Sequence, residues 1–477
     1  MRTTGDAVRH GGSGSGRKGN GGKGGGSNGA KGSKGMGSIP LAAGSLPLVG
    51  HTLGILRSPL DFLSSLPAQG DLVRVRVGPL TAVVVCDPAL TRMVLLDDAT
   101  YDRGGPFYDR VRESMGESGL GTCLHERHRR LRRLMQPAFH TSRLPGYAAA
   151  MTASVAERIG EWRDGQALDV TAETHAIAVH TLTRTMVATA LTPQQIGSVV
   201  DDVTAVILGM TRRMVVPAPL DRLPSPGNRR YWQAMGRLRR TFGGIIAERR
   251  ADGGDRGDLL SALLDARDPE SGRHAFSDAE VMDQIMTLFL AGSATTANGL
   301  TNALYLLTQD PGLEAKLHAE VDEVLGGGVA ALEHLPRLAV TRRIVTEILR
   351  AYPPAWLLTR VVAADTTLGG HPVPAGATVV FSPYVIHRRG DLYPEPCRFD
   401  PDRWAEAKPP RDAFFPYGAG ARKCVGDQFG EMETALTLAS IASRWLLRPP
   451  PGYRARPSLG ATLGLRKLTM TASLRGC

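Results

Sequence analysis

Apolar and polar residues alternate in two short runs near the start of the chain, LVRVRVG and TAVVVCD. A period of two turns one face of each run inward, and Gly78 and Pro79 between them predict a β-hairpin. Before the hairpin, LPLVGHTLGILRSPLDFLSSL reads as a proline-punctuated stretch followed by a short helix, and packed structure is expected from about Ile39. From about Pro88 to Leu349 the spacing is mostly helical. After Tyr352 the chain breaks into short strands and loops, returns to a helix after Cys424 and closes in strand-like pieces. No internal repeat is present. The pattern predicts a mainly α fold with small β-sheets at the two ends of the chain.

One helix stands apart. Ser277 and Glu280 have the spacing of a capping box, and Asp310-Pro311 supplies a stop. The 32 residues between Ser277 and Asp310 predict a helix about 48 Å long. Its middle, TLFLAGSATTANGL, is too apolar for a surface helix and must cross the interior. Glycine costs about 1 kcal/mol against alanine inside a helix. Two glycines and a Thr-Thr pair in that middle therefore imply close approach by something large, or a local opening of the helix.

Charge changes the picture only at the beginning. The net charge of +11 is uneven: residues 1–37 hold seven Lys or Arg and one Asp. That segment is almost pure Gly, Ser, Lys and Asn, has nothing to bury, and is expected to be a disordered tail, with a single domain over residues 38–477. A basic tail fits nucleic acid or anionic lipid. It has no aromatic residue to stack on bases, so no nucleic-acid partner is expected, and it reads as a solvated tail or a misassigned start. The five cysteines, at 86, 123, 397, 424 and 477, are odd in number and irregular in spacing. They argue against a disulfide framework and for a reducing compartment. With no secretory apolar core and no run of about 18 apolar residues, the expectation is a cytoplasmic protein without a membrane span.

The most informative stretch is PYGAGARKCVG, residues 416–426. Taken alone, Cys424 reads first as a buried structural thiol. A catalytic nucleophile is a further option, but no histidine lies close in sequence. A lone thiolate is also a soft ligand that can hold a haem iron axially. Gly418, Gly420 and Gly426 would let the backbone turn tightly and pass close to a flat ring. A helix starting after Cys424 would aim its N–H groups at the sulfur and stabilise the thiolate.

Read together with five other segments, this loop resembles that of the cytochrome P-450 family of haem-thiolate monooxygenases. EILR carries Glu347 and Arg350 in the family's Glu-x-x-Arg spacing, and FDPDRW supplies Arg403 to the same network. HRRLR matches the family's His-x-x-x-Arg through His128 and Arg132, and PPAWLLTR places Arg360 at a third haem-carboxylate position. AGSATT, residues 291–296, matches the oxygen-binding stretch of the central helix, with Thr295 in the threonine position. Two positions depart from the family: Tyr417 stands where Phe is usual, and Ala294 where Asp or Glu usually precedes the threonine. The resemblance runs from about residue 39 to 477. It implies a long central helix over a haem b, with the thiolate loop on the proximal side.

The implied roles follow ordinary chemistry. Two buried haem carboxylates need compensation, and His128, Arg132, Arg360 and Arg422 would supply charge-assisted hydrogen bonds. Cys424 would ligate the iron, and Gly426 would flank it. Thr295, whose hydroxyl could instead bond back to its own helix, would hold a water and pass protons. Without the usual acid at Ala294, Asn298 one turn along could hold that water, although an amide relays protons poorly. No dinucleotide fingerprint and no iron–sulfur cysteine cluster is present, so electrons must come from a separate ferredoxin and ferredoxin reductase. Arg129, Arg130, Arg133, Arg422 and Lys423 are the candidate docking cations. The expected substrate pocket, Phe107, Met115, Leu120, Phe289, Ala291, Trp356, Leu357, Leu459 and Leu463, is apolar and implies a hydrophobic, uncharged substrate alongside O2. The wording LPLVGH, AVVVCDP and DLYPEPCRFDPDRW is similar to actinobacterial members that oxidise cyclic sesquiterpenes. A fatty-acid or polyketide hydroxylase would give a similar pocket, and a non-enzymatic haem-thiolate sensor is the alternative from another class.

Overall fold

The computed structural model describes residues 36–187, 191–215, 223–267, 275–406 and 412–476. Fifteen α-helices among these residues surround four small sheets. In chain order the helices are α1 (Thr52–Arg57), α2 (Pro59–Ser65), α3 (Pro88–Leu96), α4 (Pro106–Met115), α5 (His125–Met135), α6 (Leu144–Gly160), α7 (Val170–Val187) and α8 (Pro193–Val215). They continue with α9 (Pro226–Asp252), α10 (Leu259–Asp265), α11 (Asp278–Leu307), α12 (Pro311–Leu325), α13 (Ala339–Ala351), α14 (Pro383–Ile386) and α15 (Asp427–Arg444).

The hairpin forms as its alternation predicts: β1 (Leu72–Val77) pairs antiparallel with β2 (Leu80–Val85), Val77 opposite Leu80 across the turn. Sequence order hid the rest of the sheet. β2 lies parallel to β8 (Thr378–Phe381), which pairs with β5 (Leu358–Val362), and β5 pairs with β3 (Tyr101–Asp102). Strands expected in separate sheets at the two ends of the chain thus join in a single five-stranded sheet. Most of the tail read from residues 1–37 lies outside the described residues. Met36, within that segment, is buried at 1 % exposure and packs with Ile39 against this sheet, so packed structure starts earlier than Ile39.

The central helix is α11. Ser277 caps it, and the capping box with Glu280 is complete. It has 30 residues and ends at Leu307, because Asp310 and Pro311 open α12 rather than close α11. The helix is continuous, so its glycines mark close approach and not an opening. A Cβ on Gly292 would meet the Leu182 side chain of α7 at 3.2 Å. Nineteen of its residues are buried, which explains why it reads as apolar all round.

A buried ion pair ties the second half of the chain together. Glu347 and Arg350 on α13 are both fully buried. Arg350 donates Nε to Glu347 Oε2 at 2.8 Å and Nη2 to Oε1 at 2.7 Å. Its remaining N–H groups reach the carbonyls of His387, Pro396 and Arg398, so all five donors are used. Glu347 also accepts from Arg403 at 3.1 Å, Trp404 at 2.9 Å and the Asp400 backbone at 2.9 Å. Removing one partner from such a pair strands a buried charge. Glu347→Ala is therefore expected to remove about 3–5 kcal/mol of stability. Arg403→Ala, which leaves the Arg350 pair intact, is expected to remove clearly less. Urea unfolding followed by circular dichroism checks both, and equal losses would contradict this ranking.

Candidate functional site

The loop that carries Cys424 closes on itself. Cys424 N–H donates to Tyr417 O at 2.9 Å, Gly418 N–H to Phe415 O at 2.9 Å and Lys423 N–H to Gly420 O at 3.2 Å. Gly420 has φ +66°, and a Cβ there would sit 2.6 Å from Leu95 O, so only glycine fits. Gly426 has an ordinary φ of −102° and caps α15. Its backbone N–H hydrogen-bonds the Cys424 sulfur and opposes the burial that pushes this thiol up. The Tyr417 hydroxyl has no hydrogen-bond partner among the described residues, and burial raises its pKa.

Cys424 faces an internal cavity of about 350 Å³. Its exposed surface is the wall of that cavity, although protein encloses the sulfur. The opposite wall comes from one stripe of α11: Leu288, Ala291, Gly292 and Thr295 at helical spacing. Thr295 donates its hydroxyl to Ala291 O at 2.8 Å. It therefore makes the back-bond that its residue type permits, and its oxygen keeps lone pairs toward the cavity.

Cations converge on the same space. His128 and Arg132 lie one turn apart on α5 and both face it. β5 alternates, so Leu358 and Arg360 share the cavity face. Arg360 is buried, and its guanidinium meets only Thr359 O at 2.9 Å, the Tyr108 hydroxyl at 3.5 Å and the Phe381 ring among the described residues. Arg422 bonds Cys123 O at 2.8 Å and Asp102, with Asp98 at 3.6 Å. Burial, with Arg103 beside it, lowers its pKa to about 10. Arg103, which residue order did not point to, lines the wall and donates to the carbonyls of Leu120, Gly121 and Arg422. The buried Nε atoms of Arg103 and Arg422 and Nδ1 of His128 have no hydrogen-bond partner among the described residues. Burial and the neighbouring Arg422 lower the His128 pKa to about 2, so this ring is neutral. Among the described residues, five cationic side chains line the cavity against one acid, Glu433. A guest with two carboxylates fits that surplus and the orphaned N–H donors.

Several expected pocket residues lie elsewhere. Leu120 and Ala291 line the cavity. Phe289 is rotated about 100° from Leu288 and stacks on Phe242 at 4.6 Å in the core. Met115 is buried in the same core, and Phe107 packs against it and against Tyr108. Trp356 and Leu357 pack against the buried cluster that contains Leu63, Leu66 and Val84, and Ala355 and Leu358 stand at the wall instead. Leu459 and Leu463 pair in a two-stranded ribbon and do not themselves line it, although Leu463 N–H donates to O of the lining residue Pro354 at 2.9 Å. Asn298 is not at the wall either: its amide donates to Thr462 at 2.8 Å, and Gly464 packs against it. Of the candidate docking cations, Arg422 is buried, whereas Arg129, Arg130, Arg133 and Lys423 are exposed.

A model of the Cytochrome P-450 family matches residues 40–473. The chain is a cytochrome P-450. It is 45% identical over 415 residues to a cyclooctat-9-en-7-ol 5-monooxygenase of Streptomyces melanosporofaciens, covering 86% of this chain and 90% of that one. It is 43% identical over 425 residues to a pentalenene oxygenase of Streptomyces avermitilis, covering 88% and 94%. The crystal structure of the haem domain of cytochrome P-450DA superposes with a TM-score of 0.82 at 25% identity, covering 92% of this chain and 98% of that one. This P-450 is thus a haem-thiolate monooxygenase that uses O2 on a hydrophobic substrate. No helix among its described residues is long and apolar enough to cross a membrane.

Glu433 was not among the expected site residues. It sits on α15 inside the buried run METALTLASIAS, where an acid is out of place. Burial raises its carboxyl from 4.5 to about 8. Thr296 and Thr181 place hydroxyls beside it that oppose the shift, yet Oε1 has no hydrogen-bond partner among the described residues. The folded P-450 keeps this proton up to about pH 8, whereas the unfolded chain releases it above about pH 4.5. The contribution to stability is therefore full below about 4.5 and is lost as pH rises through about 8. Glu433→Gln is expected to flatten that part of the stability curve. Urea midpoints across this window check it, and an unchanged slope would assign the pH dependence to other groups.

Proposed function

We propose that this P-450 inserts oxygen into a cyclic terpene, with electrons from a separate ferredoxin and ferredoxin reductase. The observation that carries the substrate class is the wall beside Thr295. Leu120, Leu182, Leu288, Ala291, Ala355 and Leu358 line the cavity together with Thr295, and the α11 stripe of that lining carries no ionisable side chain. Such a wall holds an uncharged hydrocarbon by burial and offers little to orient a carboxylate. Two relatives named for cyclic terpenes support the same class. A cytoplasmic location goes with the free cysteines and the external electron supply.

In this reading Cys424 would hold the haem iron as thiolate, with the Gly426 N–H on its sulfur. Arg103, Arg132, Arg360, Arg422 and neutral His128 would take the two carboxylates, satisfying donors that otherwise lack partners. Bound haem supplies the activation of dioxygen, which consumes two electrons and two protons. Thr295 donates to Ala291 O and so presents lone pairs that accept a proton-carrying water. Ala294 is buried and has no proton to give, and Asn298 is held by Thr462. Glu433 is the acid at the cavity wall, and it holds its proton near neutral pH. Exposed Arg129, Arg133 and Lys423 give an acidic ferredoxin a basic face, without Arg422.

Cys424→Ala is expected to abolish the thiolate-type ferrous–CO spectrum, while Cys86→Ala, Cys123→Ala and Cys397→Ala keep it; a normal spectrum in Cys424→Ala would sink the assignment. Cyclic terpenes are expected to shift the haem spin state, and fatty acids to do so weakly. The reverse order would favour a hydroxylase of chain substrates. With a substrate found, Glu433→Gln is expected to lower product formed per NADPH, since a positioned proton donor contributes about a hundredfold or more to the step it serves. Thr295→Ala should do the same. Wild-type coupling in Glu433→Gln would move the proton source elsewhere. Ala294→Glu places a carboxylate at a site 2 % exposed and is expected to reduce stability rather than improve coupling.

A further inference from the structure

Residues 116–124 join α4 to α5 without helix or strand, yet Ser118, Gly119 and Leu120 within them are buried. A buried loop has no ladder to satisfy its backbone, so its N–H and C=O groups must find partners elsewhere. Two side chains of α11 supply several of them. Asp283 accepts the Ser118 N–H at 3.0 Å, and Gln284 Oε1 accepts the Leu120 N–H at 2.9 Å. Gln284 Nε2 donates in turn to Ser118 O. On the other side Arg103, directly after β3, donates to the carbonyls of Leu120, at 3.4 Å, and Gly121.

The Leu120 backbone is thus held from both ends, its N–H by Gln284 and its C=O by Arg103. The loop lies directly on α11. A Cβ on Gly119 would stand 2.7 Å from Met115 O and run into the Thr287 hydroxyl. Leu120, Gly121 and Thr287 all line the cavity.

Gln284 is out of place on apolar grounds. It is 0 % exposed in a helix whose buried residues are mostly apolar. Leu288, Ala291 and Thr295 follow it at helical spacing, so it continues the stripe that walls the cavity, one turn beyond the lining. A buried amide costs free energy unless its two ends are hydrogen-bonded. Both ends of Gln284 are bonded, and both partners belong to the loop. Arg103 completes the clamp. It lines the cavity and keeps its buried Nε without a partner among the described residues, so one side chain faces the cofactor space and holds the Leu120 carbonyl.

We propose that Gln284 is a positioning residue for the distal wall: with Arg103 it fixes how far Leu120 reaches into the cavity, and so how a bulky ligand fits beside the iron. The assignment rests on the haem-thiolate reading and is independent of the substrate class.

The test uses the full haem-loaded chain and two nitrogen ligands of ferric haem, followed by difference spectra. Imidazole is small and reports access to the iron, whereas phenylimidazole also carries a ring that must lie against the wall. Gln284→Met keeps the side-chain length and removes both hydrogen bonds. It is expected to keep the ferrous–CO spectrum and the imidazole affinity of wild type. It is expected to weaken phenylimidazole binding by about threefold to tenfold, the effect of one net hydrogen bond at a wall that must then be ordered on binding. Leu120→Ala is expected to weaken the same ligand. Because Gln284 acts through Leu120, adding Gln284→Met to Leu120→Ala should cost little more. Full additivity overturns the proposal, as does unchanged phenylimidazole binding in Gln284→Met. Equal weakening of both ligands would place the effect at the haem rather than the wall and overturns it too. Where Gln284→Met loses haem on purification, Gln284→Glu takes its place, since it keeps the acceptor for the Leu120 N–H. Loss of haem from both variants would make Gln284 a residue of the fold alone. A wild-type chain with neither a thiolate-type CO spectrum nor imidazole binding would remove the haem reading itself, and the proposal with it.

Discussion

Arg350 is the largest fully buried side chain of the structure, and all of its donors converge on one region. Glu347 takes two of its hydrogen bonds, and the carbonyls of His387, Pro396 and Arg398 take three. The arrangement reaches the cysteine loop by one more step. The His387 ring, kept neutral by burial beside Arg350 with its pKa lowered to about 3, accepts the Phe415 N–H at 3.1 Å. Tyr393, under the Arg350 guanidinium at 5.3 Å, donates its hydroxyl to Ala413 O at 2.7 Å. Phe415 directly precedes the turn that ends in Cys424. A charge that cannot be left unpaired thus fixes a segment with little regular structure of its own.

The cavity depends on the opposite condition, polar groups left open. Arg360 and the orphaned nitrogens of Arg103, Arg422 and His128 make the space expensive without an anionic guest. The same space becomes apolar along the α11 stripe, where Ala291 and Gly292 leave room and Leu288 supplies surface. Binding of the cofactor and binding of the substrate therefore draw on two chemistries in one cavity. Glu433, whose carboxyl burial raises to about 8, is an acid on the wall of that cavity.

Much of this was legible in residue order. Alternation gave the β1–β2 hairpin, the Ser277 capping box gave the start of α11, and Glu-x-x-Arg before Pro353 gave the buried pair. These are local signals, complete within a few residues. His128 and Arg132, one helical turn apart, belong to the same kind. Phe289, Trp356 and Leu357 were misplaced because a single step along a helix or strand turns a side chain to another face, and apolar content does not show which face is inward.

The sequence by itself determined the family, the helical majority, and the candidates for axial cysteine and carboxylate-binding cations, because each rests on residue type at fixed spacing. Only the tertiary structure decided what meets across long separations. The parallel pairing of β2 with β8 joins residues about three hundred positions apart, and no local pattern encodes it. Arg103 and Glu433 became site residues only when α15, β5 and α5 closed around one cavity. Asn298 was excluded by Thr462, from a ribbon near the other end of the chain. Spacing fixes which way a side chain points along its own element. Burial, orphaned donors and shifted acids arise only when separate elements remove water from the same place.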